Sequence, residues 1–310
     1  MSHKITNGCV EDTDKIFVFH RVTVSVTPGA AQIVTWELNP MFRPKGPFII
    51  YFIEFAHALG EWTRLNPDMA IVNECTFVDD NKRRCGLNND EYYRVIAFDG
   101  VQEYASKPEP TLGVWSRHDW LIARDVIRKE YLRLRKFVGT QGFLLKKRKG
   151  GVPCECNDWD IGEPVNSFCE ACFGTGIQGG YYNAIPYWLD LNDGPVAGDV
   201  SIPVGVVDNR STSGRGVAYP RLDTYDIWID GDTNKRYVIR KVDSPVDFRG
   251  KPVVYNVLLN QIPASGIEYS IPLEQSLEDV FGPAPSPDCT INPDLSTGGW
   301  RSGLGEQELC

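Results

Sequence analysis

The sequence predicts a mainly β protein in which one long helix and one cysteine-rich loop separate two β regions. Hydrophobic residues make up 42% of its 310 residues, with 8 Trp and 13 Tyr, a composition typical of a folded chain. Short runs of Val, Ile, Tyr and Thr alternate with turn residues, supplied by 29 Gly and 21 Pro, and this pattern favours strands. The length allows two or three domains, each with its own core.

The first β region spans residues 15–115 and follows a short N-terminal arm, residues 1–14. Turn signals such as Pro28-Gly29 and residues 44–47 separate the runs that have strand character. Short strands at this spacing predict a β-sandwich of about 100 residues. The runs are Lys15–Val26, Gln32–Leu38, Phe48–Phe55, Cys75–Val78 and Glu91–Phe98.

Four groups of residues within this region resemble the core signature of a fibronectin type III domain. They are Thr35-Trp36, Tyr51–Phe55, Glu61–Thr63 and Tyr92–Phe98. The resemblance implies a scaffold or an adhesive module, and such a fold specifies no chemistry of its own.

A long amphipathic helix is predicted next, from an N-cap at Ser116 to about Val138, with Gly139 ending it. Apolar residues three and four positions apart form one stripe, and basic residues occupy the other faces. The stripe consists of Trp120, Ala123, Ile127, Tyr131, Leu134 and Val138. After the helix, Phe143–Lys149 has the pattern of an amphipathic strand.

Charge is distributed unevenly along the chain, whose net charge is −9. Residues 116–149 carry eleven Lys and Arg against three acidic residues, which gives this stretch +8 and leaves −17 elsewhere. Such polarity indicates one basic face in acidic surroundings. Two interpretations stay open: a solvated face or subunit contact, and a surface near DNA that neutralises phosphates. The candidate contact residues are Arg124, Arg128, Arg135, Lys146, Lys147 and Arg148.

Two close cysteine pairs, Cys154-Glu-Cys156 and Cys169-Glu-Ala-Cys172, are separated by twelve residues. Four thiolates in this pattern can surround one zinc ion, and cysteine-only sites of this kind are structural. Gly174 and Gly176 follow the second pair and permit the positive φ that such a turn requires. We call this loop the knuckle and expect a structural zinc ion in it. Two disulfides are the alternative for the same residues, although synthesis in a cytoplasm favours metal.

Residues 195–275 form the second β region, and an extended proline-rich tail, residues 276–310, follows it. Tyr225–Val242 predicts a hairpin whose turn, Asp230–Asn234, supplies Gly and Asn where positive φ is needed. Val253–Leu259 predicts a further strand. The helix, the Phe143–Lys149 strand and the knuckle together make up residues 116–194.

Features of membrane proteins and of enzymes are scarce in this sequence. No run reaches the length of a membrane span and the N-terminus lacks an apolar signal core, so we expect synthesis in a cytoplasm and no membrane partner. None of the four histidines sits beside a plausible Ser or Cys nucleophile in sequence: His3, His20, His57 and His118. Phosphate-binding and calcium-binding loop patterns are also missing. We therefore expect no enzymatic activity.

Three segments in order resemble neck-region virion proteins of tailed bacteriophages: Ser116–Glu130, Gly142–Arg148 and Cys154–Tyr182. Separately, Asp223–Pro263 resembles the small β-barrel of head-completion and head–tail joining proteins. The resemblance implies a six- or twelvefold ring of identical subunits between a portal or adaptor protein and a tail-terminator protein. DNA would pass through its channel, and the chain, made in the host cytoplasm, would be located in the virion.

Two other classes of protein compete with this interpretation. A surface adhesion or decoration protein would use the β-sandwich for binding, but the missing signal sequence counts against export. A cytoplasmic zinc-containing nucleic-acid-binding protein would explain the basic helix but not the β regions on either side of it.

Five of the nine cysteines lie outside the knuckle. Cys75 and Cys85 bracket a short segment between two predicted strands, and they can form a disulfide if their Cα atoms come within about 7 Å. Cys9, Cys289 and Cys310 lie near the two ends of the sequence. We predict that they cross-link neighbouring subunits after the particle leaves the reducing cell, with free thiols as the alternative.

Overall fold

The computed structural model describes residues 18–26, 32–79, 91–111, 116–158, 164–192 and 211–273. The described residues up to Pro272 belong to one compact unit. They form a mainly β structure with one long helix, as the sequence predicts. The N-terminal arm and the C-terminal tail, residues 276–310, lie outside the described residues.

The N-terminal part of the unit is a sandwich of two antiparallel sheets. The first sheet has the strand order β1-β2-β6; in the second, β4-β3-β7-β8, β5 pairs with β3 and β9 pairs with β7. The strands are β1 Phe19–Val26, β2 Gln32–Leu38, β3 Ile50–Ala56, β4 Thr63–Arg64, β5 Ile71–Val72, β6 Thr76–Asp79, β7 Tyr92–Phe98, β8 Glu103–Ala105 and β9 Glu109–Pro110.

Residues from the facing sides of both sheets form the core of the sandwich. Val34 and Trp36 of β2 pack with Tyr51 and Ile53 of β3 and with Val95 of β7, and all are at most 2% exposed. The rings of Trp36 and Tyr51 lie 5.0 Å apart. The predicted sandwich is therefore confirmed.

The helix α1 spans Arg117–Arg133 and continues as one π-helical turn, Leu134–Val138. Ser116 caps it as predicted: its hydroxyl accepts the backbone N–H of Asp119, whose side chain in turn accepts from the Ser116 backbone. The predicted stripe is buried from Trp120 to Leu134, except that Tyr131 is half-buried. Val138 is 45% exposed, because the wider π turn changes which positions face the core.

The C-terminal part is one curved seven-stranded sheet with the order β11-β10-β14-β15-β16-β13-β12. Its edge strands β11 and β12 are successive parts of one segment, 185–192, which pairs first with β10 and then with β13. The sheet therefore curls into a small barrel. The strands are β10 Gly142–Leu145, β11 Ile185–Pro186, β12 Asp190–Asn192, β13 Ser211–Val217, β14 Ile227–Asp230, β15 Arg236–Phe248 and β16 Lys251–Gln261.

The barrel begins earlier in the chain than the predicted second β region, 195–275. It takes β10, β11 and β12 from the segment assigned to the helix and the knuckle, so that the knuckle is an insertion between β10 and β11. The strand predicted at Phe143–Lys149 ends at Leu145. Strand pairing joins residues that are far apart in sequence, so local patterns could not place this boundary. The predicted hairpin and the strand at Val253–Leu259 are confirmed as β14–β15 and part of β16.

The helix lies against the barrel along most of its length. Leu134 belongs to the barrel core, while Ala123 and Ile127 pack on Val253 and Val254 of β16. The Arg249 guanidinium, at the turn between β15 and β16, lies 2.9 Å from the Asp119 carboxylate. The apolar stripe of α1 thus faces the barrel, which leaves its basic side turned outward.

Candidate metal centre

The four knuckle cysteines converge on one point. All four Sγ atoms lie within 4.8 Å of one another. The Cys156 Sγ lies 3.4 Å from both the Cys154 and the Cys172 Sγ, and the Cys154 Sγ lies 3.7 Å from that of Cys169. The cluster could hold a metal ion. The alternative of two disulfides is not formed, because bonded sulfurs lie about 2.05 Å apart.

The spacing of the sulfurs can be compared with that around a zinc ion. Zinc–thiolate bonds of about 2.3 Å at tetrahedral angles separate the sulfurs by about 3.8 Å. Three of the six separations, 3.4, 3.4 and 3.7 Å, are close to this value and all six are within 4.8 Å, so the cluster is compatible with zinc. Among the described residues, the group consists of cysteines alone, and a donor set of this kind is typical of closed structural sites.

Tight turns bring the second cysteine pair into position. The Phe173 N–H donates to the Cys169 carbonyl at 2.7 Å, and the Cys154 N–H donates to the Gly176 carbonyl at 2.9 Å. Gly174 and Gly176 have φ of +74° and +78°, as the sequence predicts. A Cβ on Gly176 would lie 2.9 Å from the Asn157 Oδ1. A larger residue at this position would therefore collide with Asn157, in addition to adopting an unfavourable φ.

The protonation of the cluster is uneven. Burial raises the pKa of Cys154 and, more strongly, that of Cys156. The pKa of Cys169 is lowered to about 7, chiefly by a hydrogen bond from Cys156 and then by the Ala171 backbone N–H. The cluster therefore has one thiol that ionises readily, and a bound cation would favour the thiolate form of all four.

The knuckle has almost no apolar core of its own. In its described residues, 151–158 and 164–180, the only buried side chains other than glycine are Cys154 and Cys172. Val165 and Phe168 are instead 78% and 66% exposed. A segment of this kind lacks the apolar burial that stabilises most folds, so its shape depends on the sulfur cluster.

The helix residues predicted to contact DNA or another subunit face outward. Arg128 and Arg135 are exposed, and Arg124 is half-buried with its guanidinium 5.1 Å from the centre of the Trp120 ring. None of the three has an ion-pair partner among the described residues. They remain available for a partner.

Lys146 is not available for such a contact, and this part of the sequence prediction is wrong. Its side chain is 4% exposed, and its Nζ lies 2.6 Å from the Asp226 Oδ2 and 3.1 Å from the Asp223 Oδ2. Nζ also donates to the Arg221 carbonyl at 2.7 Å. Burial alone would lower the pKa of Lys146, but the two carboxylates outweigh it and hold the pKa above its usual value.

Lys147 and Arg148 are half-buried and engaged within the chain. The Lys147 Nζ lies 5.2 Å from the centre of the Tyr225 ring, and the Arg148 guanidinium lies 4.6 Å from that of Tyr182. The Arg148 Nε also donates to the Tyr181 carbonyl at 3.3 Å. These two cations pack against aromatic rings of the same chain. Of the predicted contact residues, only those on the helix therefore remain.

Sequence reasoning missed a charged network that joins the sandwich to the barrel. Lys149 bridges Glu37 of β2, at 3.2 Å, and Asp223, at 3.1 Å, and Asp223 also contacts Lys146. Burial would raise the pKa of Asp223, but Lys146, Glu37 and Lys149 lower it well below its usual value. No local motif marks these residues, because Glu37 and Lys149 lie 112 positions apart.

Of the remaining cysteines, only Cys75 lies among the described residues. It is a free thiol, 2% exposed, and burial raises its pKa to about 12. Cys85, its predicted disulfide partner, lies outside the described residues, as do Cys9, Cys289 and Cys310. Cross-links through these four therefore stay predictions.

Comparison with known proteins adds no relative to this description. No protein-family model and no curated protein matches the chain. Among the described residues, no helix combines the length and the apolar character needed to cross a membrane.

Proposed function

We propose that this chain is a structural protein of a tailed-bacteriophage neck. Copies of it form a six- or twelvefold ring that joins the head, through a portal or adaptor protein, to the tail-terminator protein around the DNA channel. The four knuckle cysteines hold a structural zinc ion. The chain acts by shape and assembly rather than by catalysis.

The outer face of α1 carries this proposal. Arg128 and Arg135 are exposed there without ion-pair partners among the described residues, and Leu132, which borders them, is 53% exposed. Phe137, in the π-helical turn that follows, is 80% exposed. Arginine and aromatic residues are enriched in protein interfaces, whereas large apolar side chains are unfavourable in water. This face is therefore incomplete in the isolated chain and is satisfied by a partner.

The joint between the sandwich and the barrel supports a role as a rigid building block. The network of Glu37, Lys149, Asp223 and Lys146 crosses it, and Asn183 beside the knuckle donates its backbone N–H to the Asn73 carbonyl of the sandwich at 2.9 Å. Buried charges need fixed partners, so this joint resists bending. A ring that transmits force between head and tail requires subunits of this kind.

The ring is tested on purified protein by native mass spectrometry and negative-stain imaging. We expect a closed ring of six or twelve subunits with an open centre, and one zinc ion per chain by metal analysis. A protein that stays monomeric at every concentration tested contradicts the neck assignment. A ring without zinc contradicts only the metal assignment.

A cytoplasmic zinc-containing nucleic-acid-binding protein is the second candidate, and the same arginines favour it. In that case a monomer would bind DNA without sequence preference. Its affinity would fall steeply with salt, because each neutralised phosphate releases counterions. Tight DNA binding by a monomer would support this candidate over the ring.

A further inference from the structure

We propose that the knuckle of one subunit docks on the outer face of α1 of the next subunit. This inference rests on the proposed ring and names the two surfaces that build it. Both surfaces belong to the same chain, and they are complementary in charge while each exposes apolar side chains.

The knuckle is the acidic partner in this contact. The described residues of the knuckle, 151–158 and 164–180, include three acidic residues, Glu155, Asp158 and Glu170, and no Lys or Arg. Glu155 and Glu170 are exposed and stand next to cysteine ligands, and neither forms an ion pair with a described residue. Four thiolates around a divalent ion leave the cluster itself negatively charged, which adds to the acidic field. Val165 and Phe168 supply an exposed apolar patch on the same loop.

The face of α1 is the basic partner. At 3.6 residues per turn, Arg117, Arg124 and Arg128 lie within about 40° of one another around the helix axis. Arg135 continues this stripe into the π-helical turn. Leu132, 53% exposed, borders the stripe and provides the apolar part of the surface.

The lack of an ion-pair partner distinguishes the stripe from Lys129 and Arg133 of the same helix. Lys129 lies 2.7 Å from the Asp125 carboxylate, and Arg133 contacts both Glu130 and Asp190. Arg117, Arg124, Arg128 and Arg135 have no ion-pair partner among the described residues. Lys129 and Arg133 are thus neutralised within the chain, whereas the row of arginines is left for an external acidic surface.

The topology places these two surfaces apart on one chain. Residues 139–141 join the π-helical turn to the start of β10, and residues 146–150 join the end of β10 to the knuckle. A four-residue strand spans about 13 Å, so the two surfaces approach the barrel from opposite ends of β10. A contact between two different surfaces is head-to-tail, and head-to-tail contacts that close produce rings.

Charge reversal tests the contact from both sides. The helix variant is R128E with R135E, the knuckle variant is E155R with E170R, and a third variant combines all four substitutions. We expect each double variant to weaken ring association by at least about 100-fold, because like charges then face each other in a contact. The combined variant restores the ring, since the charges are exchanged.

Matched controls reverse charges on exposed residues of the sandwich, with Lys45→Glu and Glu61→Arg. Both are expected to assemble as the unaltered protein does. Metal content is measured for every variant, and E155Q with E170Q serves as a milder knuckle variant if E155R with E170R loses its metal. The milder pair is expected to weaken association by at least about 10-fold.

The outcomes separate this inference from the proposed function. If the unaltered protein forms a ring and the double variants also do, the docking contact is wrong while the neck assignment stands. If both double variants dissociate and the combined variant does not reassemble, the two surfaces do not face each other. If R128E with R135E keeps the ring but loses DNA binding in a gel-shift assay, the stripe faces DNA instead. A monomeric unaltered protein overturns the neck assignment and this contact together.

Discussion

The knuckle and the barrel are neighbours in the sequence, but each is stabilised by a different kind of interaction. Twelve buried residues of the described ranges form the barrel core, among them Leu144, Trp228 and Leu259. In the described part of the knuckle, the only buried side chains other than glycine are Cys154 and Cys172. Apolar burial stabilises the first region, and a cluster of sulfur atoms shapes the second. We therefore expect the two regions to unfold independently, each after the loss of its own stabilising interactions.

The largest expected effect is at the proposed zinc site of the knuckle. Cys172→Ser removes a fully buried sulfur from this site, and structural zinc in small peptides contributes about 10–16 kcal/mol. We expect the variant to lose stoichiometric zinc, with amide-exchange protection lost in residues 151–180 and kept in the barrel. Cys75→Ser, at a buried thiol outside the cluster, should retain the zinc. Full zinc occupancy in Cys172→Ser would show that the cluster is not the metal site.

The next effect should appear in the barrel and leave the knuckle intact. Trp228 is fully buried between core side chains, and truncating such a residue costs about 3–5 kcal/mol. We expect Trp228→Ala to lower the free energy of unfolding by this amount without changing zinc content. Phe137→Ala, at an 80% exposed position, should change it by less than about 0.5 kcal/mol. Denaturant titration and metal analysis measure both quantities.

The joint between sandwich and barrel offers a third test. Lys146→Met leaves Asp226 buried without its cation, and breaking a buried pair costs about 3–5 kcal/mol. We expect Lys146→Met to lower the free energy of unfolding by about 3 kcal/mol, because Lys149 still faces Asp223. Lys129→Met breaks an ion pair of similar length between exposed residues and should cost less than about 1 kcal/mol. Equal losses in the two variants would mean that burial does not govern the strength of this network.

The smallest effect concerns the backbone of the knuckle. Gly176 and Gly250 have nearly the same positive φ, +78° and +76°, but only at Gly176 would a Cβ meet a neighbour, the Asn157 Oδ1 at 2.9 Å. Alanine at either position costs about 1–2 kcal/mol in backbone strain. We expect Gly176→Ala to lower the free energy of unfolding more than Gly250→Ala does. Gly176→Ala should weaken zinc binding as well. A zinc titration that finds equal affinities in both variants would exclude the role of this turn in shaping the site.

Local signals in the sequence predicted the elements that local interactions create. The N-cap at Ser116, the strand Gln32–Leu38 and the convergence of the four cysteines each depend on a few neighbouring residues, and the structure has all three. The burial of Lys146 depends on Asp226, 80 positions away, and the closure of the barrel depends on segment 185–192. Neither leaves a local pattern, so the sequence predicts an exposed basic run, 146–148, although its first residue, Lys146, is buried.

The way the chain enters and leaves the knuckle has a consequence for how such a protein can change over time. The Gln178 N–H donates to the Val152 carbonyl at 2.9 Å, so the two strands of chain that bound residues 153–177 run side by side. An insert between these two points could be longer, shorter or without cysteines. In each case the chain would return to the same place, and the pairing of the barrel strands would not change. We therefore expect that residues 153–177 can be replaced by a different segment while every barrel strand is kept.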